Sequence, residues 1–176
     1  MKGFILAAVL VATGALASSA QASVPGDIKV PAGNKEFLEA HAIGVQIYGC
    51  NATATGGYAW SLAGPRANLY QRGKLVATHF AGPTWQAKDG SKVVGARVNG
   101  VKVDPTAIDW LLLSATSTTP GRFGGTTFIQ RINTTGGLIP AAGDCTAGTV
   151  GTQREVPYTA DYVFFKKDRS CQGRRD

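Results

Sequence analysis

The sequence predicts an all-β protein, a single-domain antiparallel β-sandwich or flattened barrel with one short N-terminal helix. Three observations predict it. Glycine is abundant, 23 residues of 176. Short runs rich in Val, Ile, Thr, Tyr, Phe and Trp recur, separated by Gly, Pro, Asn or Asp. Long stretches of helical periodicity are absent.

The N-terminus reads as a targeting segment. Lys2 gives a positive start, Phe4 to Ala17 is almost wholly apolar, and Ala20-Gln21-Ala22 is an A-x-A cleavage site. The apolar run is too short for a spanning helix. Residues 1–22 are therefore expected to be a signal peptide, residues 23–165 the all-β domain, and residues 166–176 a basic tail that is disordered. No other segment is apolar enough to span a membrane. The predicted destination is outside the cytoplasm, periplasmic or secreted.

The first element of the body, Asn34–His41 (NKEFLEAH), is predicted as the short helix, with Asn34 as its cap and Phe37 and Leu38 facing inward. Strands are predicted near Gly44–Tyr48, Tyr58–Ala63, Ala67–Arg72, Lys74–Phe80, Lys92–Asn99, Trp110–Ser117, Thr126–Ile132 and Tyr158–Phe165. In VQIYG, Val45 and Ile47 share one face while Gln46 and Tyr48 share the other. Tyr158, Ala160, Tyr162 and Phe164 likewise share a face. Trp110-Leu-Leu-Leu is a continuous apolar run suited to a strand covered on both sides. Arg72-Gly73 marks a hairpin, and Asp89-Gly90 is a type I′ turn signal.

The formal charge is +7, and the tail from Lys166 holds five basic and two acidic residues. No basic cluster precedes the tail, so a nucleic-acid partner is not expected. Of the three cysteines, Cys50 and Cys145 follow strand-like segments of the body and are expected to form a disulfide. Cys171 lies in the tail and is left over. No spacing of Cys, His or carboxylates suits a metal. No glycine-rich phosphate loop is present, so no nucleotide cofactor is expected.

The block Thr78–Gly95 (THFAGPTWQAKDGSKVVG) concentrates the residues that could carry chemistry. His79 is the best candidate acid, base or ligand by residue type. Asp89 and Ser91 lie close in sequence, and a Ser-His-Asp grouping is one reading. No nucleophile elbow supports it, and Ser91 directly after Asp-Gly more commonly caps a turn. Gly82-Pro83 forms a rigid bend that would set the angle of Trp85. The indole could then be a platform for a sugar or other flat ligand, or a lid on the core. Trp60 and Trp110 are expected in the core. Gln130 and Arg131 must point to opposite faces of one strand. Whichever is buried needs a partner, and Asp161 is the candidate partner for Arg131.

Five motifs in order, GVQIYGC, THFAGPTWQAKDGSKVVG, IDWLLLSAT, TTFIQRINTTGG and VPYTADYVFF, resemble an uncharacterised family of secreted bacterial and fungal proteins, domain-of-unknown-function family three-four-five-five. The resemblance runs from about Ile43 to Phe165. It implies a secreted single-domain protein with a cysteine at each of the two paired positions, and it implies no reaction. Some fungal members carry a malate dehydrogenase label, but the chain lacks a dinucleotide fingerprint.

The leading expectation is a non-enzymatic, extracytoplasmic binding or surface-associated module for a glycan or small molecule. Its ligand face is Trp85 and His79, with Arg131 and Tyr162 as walls. The alternatives are a small secreted hydrolase using His79 with Asp89 or Asp161, and a structural envelope protein.

Overall fold

The computed structural model describes residues 23–171, so the expected signal peptide and residues 172–176 lie outside the described residues. Eight strands follow one another: β1 (Asn34–Ala52), β2 (Tyr58–Gln71), β3 (Lys74–Phe80), β4 (Thr84–Ala87), β5 (Lys92–Val101), β6 (Trp110–Thr118), β7 (Thr126–Gly136) and β8 (Gln153–Lys167). Each pairs antiparallel with the next, and β8 returns to pair with β1, so the ladder closes into a barrel. Closure removes the exposed edges that an open sheet would have to protect.

The expected N-terminal helix is not there. Asn34–His41 is the first half of β1, paired with β8 from Asn34↔Lys167 onward. Its residues are respectable helix formers, but Leu38, Ala40 and Ala42 alternate into the core. Two flanking strands satisfy its backbone, and that context overrides local propensity. The segments around Tyr58–Ala63 and Ala67–Arg72 are one strand, continuous through Gly64-Pro65. The register slips there, leaving Ala63 unpaired in a bulge. Lys166 and Lys167 extend β8, and Arg169–Cys171 forms a 3-10 turn, so the expected tail begins as ordered structure. The Lys166 ammonium lies 4.2 Å from the centroid of the Phe37 ring.

Alternation sorts the strands into an inside and an outside. Tyr158, Ala160, Tyr162 and Phe164 all point inward and join Leu38, Leu69, Trp85, Val93, Leu113, Phe123 and Ile129 in the main core. A second cluster lies outside the barrel wall. There the N-terminal segment around Ile28 covers Trp110, Leu112, Ile132 and Val163. Gln130 on the same outer face donates to the Ile28 carbonyl at 2.7 Å. The run Trp110-Leu-Leu-Leu is thus covered on both sides, as its composition predicts. A third cluster joins Tyr48 and Trp60 to the disulfide Cys50–Cys145.

The Arg72-Gly73 turn has both residues at positive φ, 50° and 73°. That is the type I′ geometry, whose twist matches the strands it joins. Asp89-Gly90 departs from the prediction, because only Gly90 has positive φ (84°). Instead, Asp89 folds back and its carboxylate accepts hydrogen bonds from the Ser91 N–H and hydroxyl. Its other oxygen accepts the Arg122 N–H at 2.8 Å, and the Ser91 hydroxyl accepts the Phe123 N–H at 3.2 Å. These bonds hold the β6–β7 loop so that Phe123 plugs this end of the barrel against Phe164, ring centroids 4.8 Å apart.

Candidate functional site

The opposite end of the barrel is shaped by the β3–β4 hairpin. Its bend, Ala81-Gly82-Pro83, makes His79 and Trp85 direct cross-strand partners. Cross-strand partners project to the same face, here the inside, so the two rings meet. They stack in parallel, centroids 4.2 Å apart and planes 3° apart. Tyr162 meets both edge-on, at 5.1 Å from His79 and 5.3 Å from Trp85. Room for the indole comes from Gly95 on β5. A Cβ there would lie 3.2 Å from Trp85 Cζ3 and 3.4 Å from Ile129 and Leu113, closer than packed atoms normally sit.

His79 is 4% exposed and Trp85 1%. His79 Nδ1 lies 2.9 Å from the Thr84 carbonyl. A carbonyl only accepts, so the proton sits on Nδ1 and Nε2 keeps its lone pair. Burial is the main cause that pushes the imidazole pKa down to about 3; the Thr84 bond opposes it and the Arg131 charge adds to it. The ring is therefore neutral at physiological pH. Burial also raises the pKa of Tyr162 and Tyr158, whose hydroxyls lie 3.5 Å apart, so both phenols stay protonated. The Trp85 Nε1–H is buried without a hydrogen-bond partner, an unusual cost in a folded interior.

Beside this aromatic trio lies a cavity of about 290 Å³. His79, Trp85 and Tyr162 form its floor. Leu111 and Leu113 of β6 and Leu62 to Pro65 of the β2 bulge contribute apolar wall, and Gln46, Arg97 and Arg131 contribute polar wall. Gln46 is 3% exposed and lines the cavity. Arg131 donates through Nε and Nη2 to one acceptor, the Asp109 carbonyl, at 3.0 and 2.9 Å. The Asp109 carboxylate faces elsewhere, 3.6 Å from Arg97 and 3.4 Å from Lys102. Among the described residues no carboxylate pairs with Arg131, and none lines the cavity.

The four residues expected on a ligand face, His79, Trp85, Arg131 and Tyr162, thus border one cavity. The two expected acids do not reach it. Asp161 points out of the barrel, where it binds His41 Nδ1 at 2.7 Å and accepts from Asn133 at 2.8 Å. It is not the partner of Arg131, because Arg131 pairs with Tyr162 and Asp161 with Ile132 in the β7–β8 ladder. Asp89 lies at the plugged end; hydrogen bonds from Ser91, then Arg122, hold its carboxyl below the usual range. Neither supplies His79 with a carboxylate, and Ser91 is committed to Asp89 and Phe123. Among the described residues the one hydrogen bond of the His79 imidazole is to the Thr84 carbonyl, which leaves Nε2 as an acceptor.

Gln46, Arg97, Leu111 and Leu113 were not singled out by sequence reasoning. A signal for Gln46 exists: it continues the inward row Leu38, Ala40, Ala42, which the helical reading of Asn34–His41 concealed. Arg97 likewise follows Val93 and Gly95 on the inward side of β5 and reaches the rim.

No curated protein and no solved structure matches the chain. A family model described as "Protein of unknown function (DUF3455)" matches residues 31–166, a span that holds every residue bordering the cavity. The match agrees with the motif resemblance, and the chain belongs to that family of unknown function.

Proposed function

We propose that the protein is an exported, single-domain binding protein that holds a small molecule in the open end of its barrel. Export is inferred from the leader ending at Ala22, and the Cys50–Cys145 disulfide is compatible with an oxidising compartment. The observation that carries the binding reading is the cavity itself. It combines apolar wall with the polar side chains of Gln46 and His79, and the buried indole N–H of Trp85 on its floor has no hydrogen-bond partner. A buried polar group without a partner is costly, and one that borders a cavity is expected to meet a ligand or ordered water.

A small molecule fits better than a glycan chain. An aromatic platform for sugar must expose a ring face, and one face of Trp85 is occupied by His79 while Tyr162 and Phe164 abut it edge-on.

The test is a thermal-shift screen of small molecules on the wild type and on Ala63→Trp, which places an indole at the rim on an exposed bulge residue. Compounds that raise the melting temperature of the wild type should fail to do so for the variant, with circular dichroism unchanged. A screen in which no compound stabilises the protein, or in which the variant responds equally, contradicts the reading.

A further inference from the structure

We propose that the ligand is a monocarboxylate on a compact apolar body, with its carboxylate bound at Arg131. The proposal rests on the ligand-binding reading and names the chemical class that the same cavity would take.

Three observations carry it. The first is the state of Arg131. Its guanidinium is half-buried, held in place by the Asp109 carbonyl, and has no carboxylate partner among the described residues. The Asp109 carbonyl uses two of the five N–H donors and the Tyr162 hydroxyl meets another, which leaves donors for a ligand. A planar guanidinium matches a planar carboxylate, and such charge-assisted pairs are stronger than neutral hydrogen bonds.

The second is the balance of charge. The Asp109 carboxylate turns to Arg97 and Lys102, and none of the ion pairs among the described residues includes Arg131. The lining contains two arginines and no acid. An uncharged ligand would leave Arg131 desolvated and unpaired, which is the costlier arrangement.

The third is what remains of the wall. Leu62, Pro65, Leu111, Leu113 and Trp85 can cover an apolar body. A volume of about 290 Å³ is near the low end of the roughly 300–1,000 Å³ of ligand pockets and suits a small acid. Gln46 offers its amide to the second carboxylate oxygen or to a substituent.

Isothermal titration at pH 7 tests this with benzoate, cinnamate and hexanoate, each beside its primary amide, and with inorganic phosphate. The acids should bind at least tenfold more tightly than their amides, and phosphate should bind weakly. Arg131→Gln should erase the preference for acid over amide, and Arg131→Lys should restore part of it. Arg97→Gln, a change at an exposed rim residue, should reduce the preference even if the Arg131 variants fold poorly. Amides that bind as well as acids would overturn the carboxylate assignment while leaving the cavity a ligand site. Phosphate binding equal to that of benzoate would overturn the apolar body. Absence of binding by every acid and amide would remove the ligand-binding reading together with this inference.

Discussion

His79 on β3 and Trp85 on β4 face each other across one hairpin, and their rings stack 4.2 Å apart within 3° of parallel. The pair fixes the floor of the cavity. It also fixes the protonation state of the imidazole, because a ring clasped between an indole and the barrel interior has little water to support a charge. Stacking of a neutral imidazole on an indole adds to area burial, by roughly 0.5–1.5 kcal/mol for aromatic pairs in general.

The first consequence is a pH dependence of stability. The folded His79 pKa, about 3, lies below the unfolded value of 6.5. Between those values the unfolded chain binds the extra proton and the folded chain does not. Stability therefore falls as pH drops through that window, by about 1.4 kcal/mol per pH unit at most. Above pH 6.5 the effect vanishes. Urea unfolding at pH 7 and pH 4 should show a loss of roughly 3 kcal/mol from this residue in the wild type. His79→Phe should lose correspondingly less between the same two pH values. Equal losses in the two proteins would place the acid sensitivity elsewhere.

The plugged end makes a separate prediction. Phe123 is fully buried, and Phe123→Ala should cost about 3–5 kcal/mol by leaving a cavity against Phe164. Asp89→Ala should lower stability in the same direction by freeing the β6–β7 loop that Asp89 and Ser91 hold. Because this end is remote from the hairpin bend, Asp89→Ala should leave ligand-induced thermal shifts intact. A variant that stays folded but loses the shifts would return Asp89 to the site.

Gly95 tests how tightly the floor is packed. Gly95→Ala adds a methyl 3.2 Å from the Trp85 ring, with Ile129 and Leu113 closing the other sides. The expected cost is about 1–3 kcal/mol, the range for overpacking. The near-ultraviolet circular dichroism of the protein should change with it as the indole shifts. An unchanged spectrum and stability would mean that the floor has slack.

The disulfide ties the end of β1 to the loop before β8, across a sequence separation of 95. Replacing both by Ser should cost about 2–5 kcal/mol in chemical denaturation. Since Cys50 and Cys145 pack with Tyr48 and Trp60 beyond the cavity wall, the barrel should keep its far-ultraviolet spectrum. A double variant as stable as the wild type would show that the third cluster holds without its bridge.

Much of this was legible in local sequence because strands alternate. The row Tyr158, Ala160, Tyr162, Phe164 announces its inward face, and Gly82-Pro83 announces a bend that delivers Trp85 opposite His79. Pairing register is not written locally, and that is where reading fell short. Asp161 looked available to Arg131, yet its own alternation with Tyr162 turns it outward once Tyr162 is inside. β4 is only four residues long and hides behind Gly-Pro, so its role as the partner of His79 emerges only in three dimensions. The helical reading of Asn34–His41 failed because closure between β1 and β8 outweighs propensity. The cost of that misreading was Gln46, whose inward position follows from the strand it interrupts.

The most direct test uses the histidines themselves. The chain has only two, His79 in the cavity floor and His41 on the outer wall beside Asp161. With nitrogen-15 labelled histidine and tryptophan, side-chain resonances can be recorded while benzoate, or the best stabiliser from the screen, is added. The account predicts His79 protonated at Nδ1 at pH 7, with the His79 and Trp85 signals shifting in step with saturation and His41 unmoved. A compound that saturates the protein while His79 and Trp85 stay still would contradict it.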